Sequence, residues 1–204
     1  MSAAVLNGLA LSGELTTGRF DLNDSVLHYT LVDRMAEAME RGENPLDFWV
    51  PEFTFGYPVA RTYQILGHIL IALLYLALGK TVSLLTLFAW SKFLLVALWP
   101  LTVYAFARLL LLRPAAAVAA AVLSPLVATN GLYGLEYGSY LWRGSGLFSQ
   151  AVAMHLLLLA LGFGFRAVQG RREPVAAGVL LGLTFLAHFI YGFIGAISLG
   201  HINK

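Results

Sequence analysis

The chain contains no cysteine, which excludes disulfides, thiol nucleophiles and cysteine-ligated metal centres. Charge is scarce as well: 12% of its 204 residues are Asp, Glu, Lys or Arg, about half of what a soluble domain carries. The formal net charge is only +2, and the basic residues are scattered at the ends of apolar segments, so the footprint of a nucleic-acid binder is missing. There is no glycine-rich phosphate loop, no His-Glu-x-x-His and no nucleophile elbow. What is present is apolar. Hydrophobic residues make up 59% of the chain and the mean hydropathy is +0.76. Several apolar runs approach or exceed the roughly 18 to 20 residues that carry a helix across a hydrocarbon core. The sequence therefore predicts an all-α, polytopic transmembrane bundle, a multi-pass protein of the cell membrane whose first partner is lipid. Residues 1–204 read as a single integral membrane domain.

The ends bear on that reading. Met1 to Ser12 is apolar but spans only about half a crossing, with no basic region of the signal-peptide kind before it. At the other end His201-Ile202-Asn203-Lys204 follows directly on an apolar run. The expectation is an amino-terminal fragment of a larger membrane protein.

Most of the acidic residues fall between Phe20 and Arg61, together with Trp49, Pro51, Phe53, Phe55, Tyr57 and Pro58. Residues 14–60 form a predicted external loop containing an amphipathic helix over 24–41. At about 100° per residue, Leu27, Leu31, Val32, Met35, Ala36 and Met39 gather on one arc. Thr30, Asp33, Arg34, Glu37, Glu40 and Arg41 gather on the other. This pattern predicts a helix lying in the membrane interface, stopped at Gly42, Asn44 and Pro45. An aromatic loop at headgroup level follows.

Arg61 to Gly79 is a short apolar helix, read as juxtamembrane or re-entrant rather than crossing. Leu84 to Leu112 is a long span with Trp99-Pro100 in its middle. Ala115 to Thr129 is a short one, and residues 129–146 form a second external loop. Leu147 to Phe165 and Pro174 to Leu199 are further spans, joined by a basic loop. Arg108 and Arg113, with Arg166, Arg171 and Arg172, set the cytoplasmic side and leave both polar loops outside.

Asp21, Asn23, Asp24 and His28 are the tightest polar cluster. Asp24 and His28 stand one turn apart on the apolar arc, where a carboxylate and an imidazole can orient one another as a base and its partner. The simpler role for Asp24 is a favourable charge in the first turn of a helix. Glu136 and Arg143 share the second loop, either facing a substrate phosphate or acceptor or pairing with each other. Arg61, Gln64 and His68 share one helix face, which is also what snorkelling at a helix edge requires. His155 and His188 sit within spans, where a helix-to-helix hydrogen bond is the simpler role. Together with Lys92 they are the ionisable groups that a transporter would use.

The order Phe20-Asp-Leu-Asn-Asp24-Ser-Val-Leu-His28, then Gly42, Pro45, Trp49, Pro51 and Gly56-Tyr57-Pro58 before an apolar helix, resembles the first external loop of membrane proteins with the 6-pyruvoyl-tetrahydropterin synthase-related domain. That family looks like part of the C-type glycosyltransferases, which use polyprenyl-phosphate sugars. The resemblance covers roughly residues 11–199. It implies transfer of a sugar from a polyprenyl-phosphate-linked donor to an acceptor on the external face. In that reading Asp24 is the catalytic base, with Asp21 as the fallback, Glu136 is the second acid and His28 is the partner of Asp24. Arg61, Arg143, Tyr57 and Asp21 are placed with the substrate-binding residues, and a divalent metal is left open. The chain departs from the pattern in having no Asp-Glu pair and in following Tyr-Pro with Val59-Ala60-Arg61. Those departures suit the alternative, a non-catalytic lipid-binding or assembly subunit that keeps the fold.

Overall fold

The computed structural model describes residues 1–15, 24–53, 55–126, 148–170 and 173–202, and among these the protein is all-α. Nine α-helices follow one another among the described residues: α1 (Ser2–Leu11), α2 (Asp24–Glu40), α3 (Leu66–Ala77), α4 (Leu84–Ala97), α5 (Trp99–Leu109), α6 (Pro114–Leu123), α7 (Phe148–Val168), α8 (Pro174–Ala187) and α9 (Phe189–Ile202). One of them, α7, is long and apolar enough to cross a membrane. A second crossing exists if α4 and α5, bent by 43° relative to each other, are one broken span.

Local chemistry explains several boundaries. Gly42 takes a left-handed conformation just past α2, and the Glu43 amide reaches back to the Ala38 carbonyl at 2.8 Å, which closes the helix with a Schellman-type stop. Ser83 caps α4 by accepting from the Thr86 amide. Proline opens α6 and α8 at the position where its missing N–H costs nothing.

The break between α4 and α5 follows from Pro100. Proline has no N–H for the carbonyl of Val96, four residues earlier, and that carbonyl accepts instead from Asn7 Nδ2 of α1 at 3.2 Å. Across the bend, His155 of α7 touches both sides, with Nδ1 2.6 Å from Thr102 Oγ1 of α5 and Nε2 2.8 Å from the Leu95 carbonyl of α4. The kink is a satisfied structure held by two neighbouring helices.

α2 and α3 lie side by side and parallel. His28 meets His68 at one end, and Glu40 meets Lys80 at 2.6 Å near the other. α4 runs back along them, with Phe88 against Tyr29 and Lys92 against Ser25. The apolar arc of α2 packs against protein. Leu31, Val32, Met35 and Ala36 are buried in a protein core with Phe48, Val50 and Val59 of the following loop, Ile71 and Ala72 of α3, and Phe88 of α4. An apolar arc is covered as well by protein as by lipid, and here α3, α4 and the loop cover it.

A correction concerns Pro174 to Leu199. Leu199 lines the same cavity as Pro174, Ala177 and Gly178, and Leu181 and Leu157 both press on Gly195. The chain therefore turns back at His188, whose backbone is extended. α8 and α9 form an antiparallel hairpin against α7, each arm about 21 Å long and shorter than a hydrocarbon core.

Candidate functional site

The most concentrated polar chemistry among the described residues lies where α2, α3, α4 and α7 meet. His28 on α2 and His68 on α3 are both buried. Their rings stack at 29° with centroids 5.2 Å apart, and His28 Nδ1 stands 2.9 Å from His68 Nε2. One ring donates and the other accepts, so each fixes the tautomer of its partner. Around them is an aromatic shell. Tyr63 lies 5.9 Å from His28 and 6.1 Å from His68, and Phe148 lies 5.7 and 5.4 Å away. Phe148 in turn packs on Phe88 at 5.2 Å.

Burial holds both imidazoles well below their ordinary value. The Lys92 ammonium adds to the effect at His28 and the neighbouring ring adds to it at His68. The pair is therefore neutral at pH 7. Lys92 stands beside it, with Nζ 3.5 Å from Ser25 Oγ and 5.6 Å from the centroid of the Phe88 ring. Asp24 opens α2 one turn before His28 and is exposed. The cluster thus grades from an accessible carboxylate to a buried imidazole pair. Such an order can take a proton at the surface, with a polarisable neutral pair and a cation close by.

An apolar groove of about 360 Å³ adjoins this cluster. It starts at Gly67 and Phe148, passes between Leu70 of α3 and Leu94 and Leu98 of α4, and reaches His155. Gly67 belongs there because a side chain would collide with Phe148: a Cβ at that position would sit 2.7 Å from the ring.

The residues singled out from sequence fare differently. Asp24 and His28 stand at the cluster. Arg61 is taken up on the surface, with Nε and Nη2 bonded to the two carboxylate oxygens of Asp47 at 2.7 and 2.6 Å. Tyr57 is exposed and pairs through its backbone with Val50 in an isolated β-bridge. Asp21, Glu136 and Arg143 lie outside the described residues. His155 makes the helix-to-helix bonds described above, while His188 forms the turn between α8 and α9 with its ring against Tyr191 at 5.0 Å.

Two groups at the cluster were not assigned to it from sequence. In the sequence His68 shares a helix face with Arg61 and Gln64, and its spacing from His28 carries no periodic signal. Lys92 was legible as an ionisable residue inside an apolar helix, which is itself a marker of function. No group of three side chains able to hold a metal ion exists among the described residues, and two imidazoles alone fall short of a structural or catalytic zinc set. No protein-family model, no curated protein and no solved structure matches the chain.

Proposed function

We propose that the chain is part of a multi-pass membrane glycosyltransferase-like protein, moving a sugar from a polyprenyl-phosphate donor to an acceptor on the external face. The observation that carries this reading is the junction of the Asp24, His28 and His68 cluster with the apolar groove beneath it. A lipid-linked substrate has a polar reacting end and a long apolar tail, and the junction offers a place for each. In the reaction the acceptor oxygen attacks the anomeric carbon, the bond from that carbon to the phosphate oxygen breaks, and polyprenyl phosphate leaves. The acceptor proton goes to the Asp24 carboxylate, with the neutral His28 and His68 pair next to it. Lys92 supplies positive charge on the same side of the cluster as Ser25. Glu136 and Arg143 remain the second acid and the phosphate contact in this proposal.

The topology is supported by where charge falls. Leu109, next to the turn bearing Arg108 and Arg113, presses on Gly162 near the Arg166 end of α7, which brings basic residues together at one end. Phe148, with the cluster, lies at the other.

The test is Asp24→Asn in the membrane-reconstituted protein, with transfer of labelled sugar from a polyprenyl-phosphate donor as the readout. Loss of a general base lowers the rate by about 100-fold or more, with the thermal midpoint unchanged. Unaltered transfer removes Asp24 from the chemistry. A second reading, a non-catalytic lipid-binding or assembly subunit, is favoured by the pairing of Arg61 with Asp47, which withdraws that cation from a substrate phosphate. In that case lipid binds in the groove and the variant binds it equally well.

A further inference from the structure

The loop between α2 and α3 carries a short backbone pairing that the proposed chemistry does not use. Val50 and Tyr57 exchange two backbone hydrogen bonds, each 3.1 Å, and the Gly56 amide bonds to the Phe53 carbonyl at 2.6 Å. The Trp49 indole lies so close over Gly56 that a Cβ there would stand 2.0 Å from Nε1. Gly56 has a φ of +102°, and Phe55 beside it has a φ of +67°, a region that bulky side chains rarely enter. Arg34 of α2 pairs with Glu52 within the turn, and Arg61 pairs with Asp47 across the two arms. All this order serves to present apolar surface outward: Phe55 is fully exposed, and Trp49 and Tyr57 are exposed beside it. Backbone strain spent on exposing a phenylalanine calls for a partner that covers it.

Its position identifies that partner. α7 is long and apolar enough to cross a membrane, its described part measuring about 31 Å at 1.5 Å per residue against the roughly 30 Å of a hydrocarbon core, and Phe148 stands at one end of that part. Val50 and Val59, the two ends of the hairpin, belong to the same buried cluster as Phe148. The hairpin thus shares a core with the Phe148 end of α7. Trp and Tyr favour the headgroup layer because one end of the ring system is apolar and the other is wet. α3, packed against the same cluster, exposes Leu70, Leu73, Leu74 and Leu78 along one stripe. We propose that the Trp49, Phe55 and Tyr57 hairpin is an interfacial anchor that inserts into the outer edge of the lipid bilayer. This rests on α7 crossing the membrane. The anchor ties the α2 and α3 pair, and with it Asp24 and His28, to the bilayer.

Because the chain has no cysteine, single-cysteine spin labels give the depth directly. Phe55→Cys, Glu43→Cys and Leu159→Cys are labelled in protein reconstituted into phosphatidylcholine vesicles. Collision with oxygen, which concentrates in the bilayer, is compared with collision with a water-soluble nickel chelate. The expected result is that the label at 55 is several-fold less accessible to nickel than the label at 43 and more accessible to oxygen. If 159 is protected from nickel but 55 is as accessible as 43, the anchor is overturned and the aromatic surface faces water. If 159 is itself open to nickel, α7 does not cross and the anchor falls with it.

Discussion

His28 Nδ1 and His68 Nε2 face each other across 2.9 Å in a pocket of aromatic rings, one imidazole from each of two parallel helices. The pair is the polar link between α2 and α3 at their shared N-terminal end, while Glu40 and Lys80 link them on the surface near the other. Its neutrality and its burial go together, and both can be tested.

The pair makes stability depend on pH in a defined direction. Burial depresses both folded pKa values below the free value near 6.5, so the unfolded chain takes up protons first as the pH falls. The contribution is complete above about pH 6.5 and drains away toward the folded value of His28, about 4. The thermal midpoint in detergent is expected to be lower at pH 5 than at pH 8. Replacing both rings together, His28→Phe with His68→Phe, should shrink that difference, because two apolar groups of similar shape leave nothing to titrate. Identical pH profiles for the two proteins would refute the assignment.

At the α4 and α5 bend, Asn7→Ala leaves the Val96 carbonyl without its donor. His155→Leu does the same to the Leu95 carbonyl and also strips Thr102 of its partner. Each is expected to lower stability by about 1–3 kcal/mol, the cost of an orphaned buried polar group, read as a drop in thermal midpoint. A variant as stable as the parent would show that the bend is held by something else.

Gly67→Ala places a methyl 2.7 Å from the Phe148 ring and 3.2 Å from a Val152 methyl. Overpacking of this kind costs about 1–3 kcal/mol. The substitution also narrows the mouth of the groove, so under the proposed function binding of a polyprenyl-phosphate-linked donor weakens more than stability alone explains. Binding measured beside thermal unfolding separates the two.

Arg61→Ala gives the opposite expectation. The ion pair with Asp47 is solvent-exposed on both sides, and such pairs contribute little. No resolvable shift in thermal midpoint is expected, and a large one would mean that Arg61 supports the hairpin more than its exposure implies.

The α8 and α9 hairpin predicts sidedness. Cysteines introduced at Gly170 and His201, before α8 and at the end of α9, should react with an impermeant thiol reagent from the same side of the membrane. Labelling from opposite sides would restore a single crossing through residues 174–199.

The helical content was legible because apolar runs of this length leave few alternatives, and the amphipathic arc of α2 could be read from its period of 3.6. What covers that arc was not, since Leu31 and Met35 read the same whether lipid or Ile71 and Phe88 lie opposite. The reversal at His188 was hidden for a different reason. Ala187, His188 and Phe189 contain neither glycine nor proline, so hydropathy runs on unbroken across the turn. At the site, Asp24 and His28 stood out as polar residues one turn apart. His68 did not, because a contact between residues 40 apart is decided by how α2 and α3 pack, which no local pattern encodes.

The kink at Leu98 also carries a message about biogenesis. Its two spare carbonyls draw on donors from opposite directions along the chain: Val96 on Asn7, made long before it, and Leu95 on His155, made long after. During synthesis the first can be met as soon as α4 arrives beside α1, whereas the second stays with water or with a temporary donor until α7 is in place. In a chain that folds in the order of its synthesis, α4 and α5 would therefore meet α1 before their final angle is fixed, and the arrival of α7 would lock it.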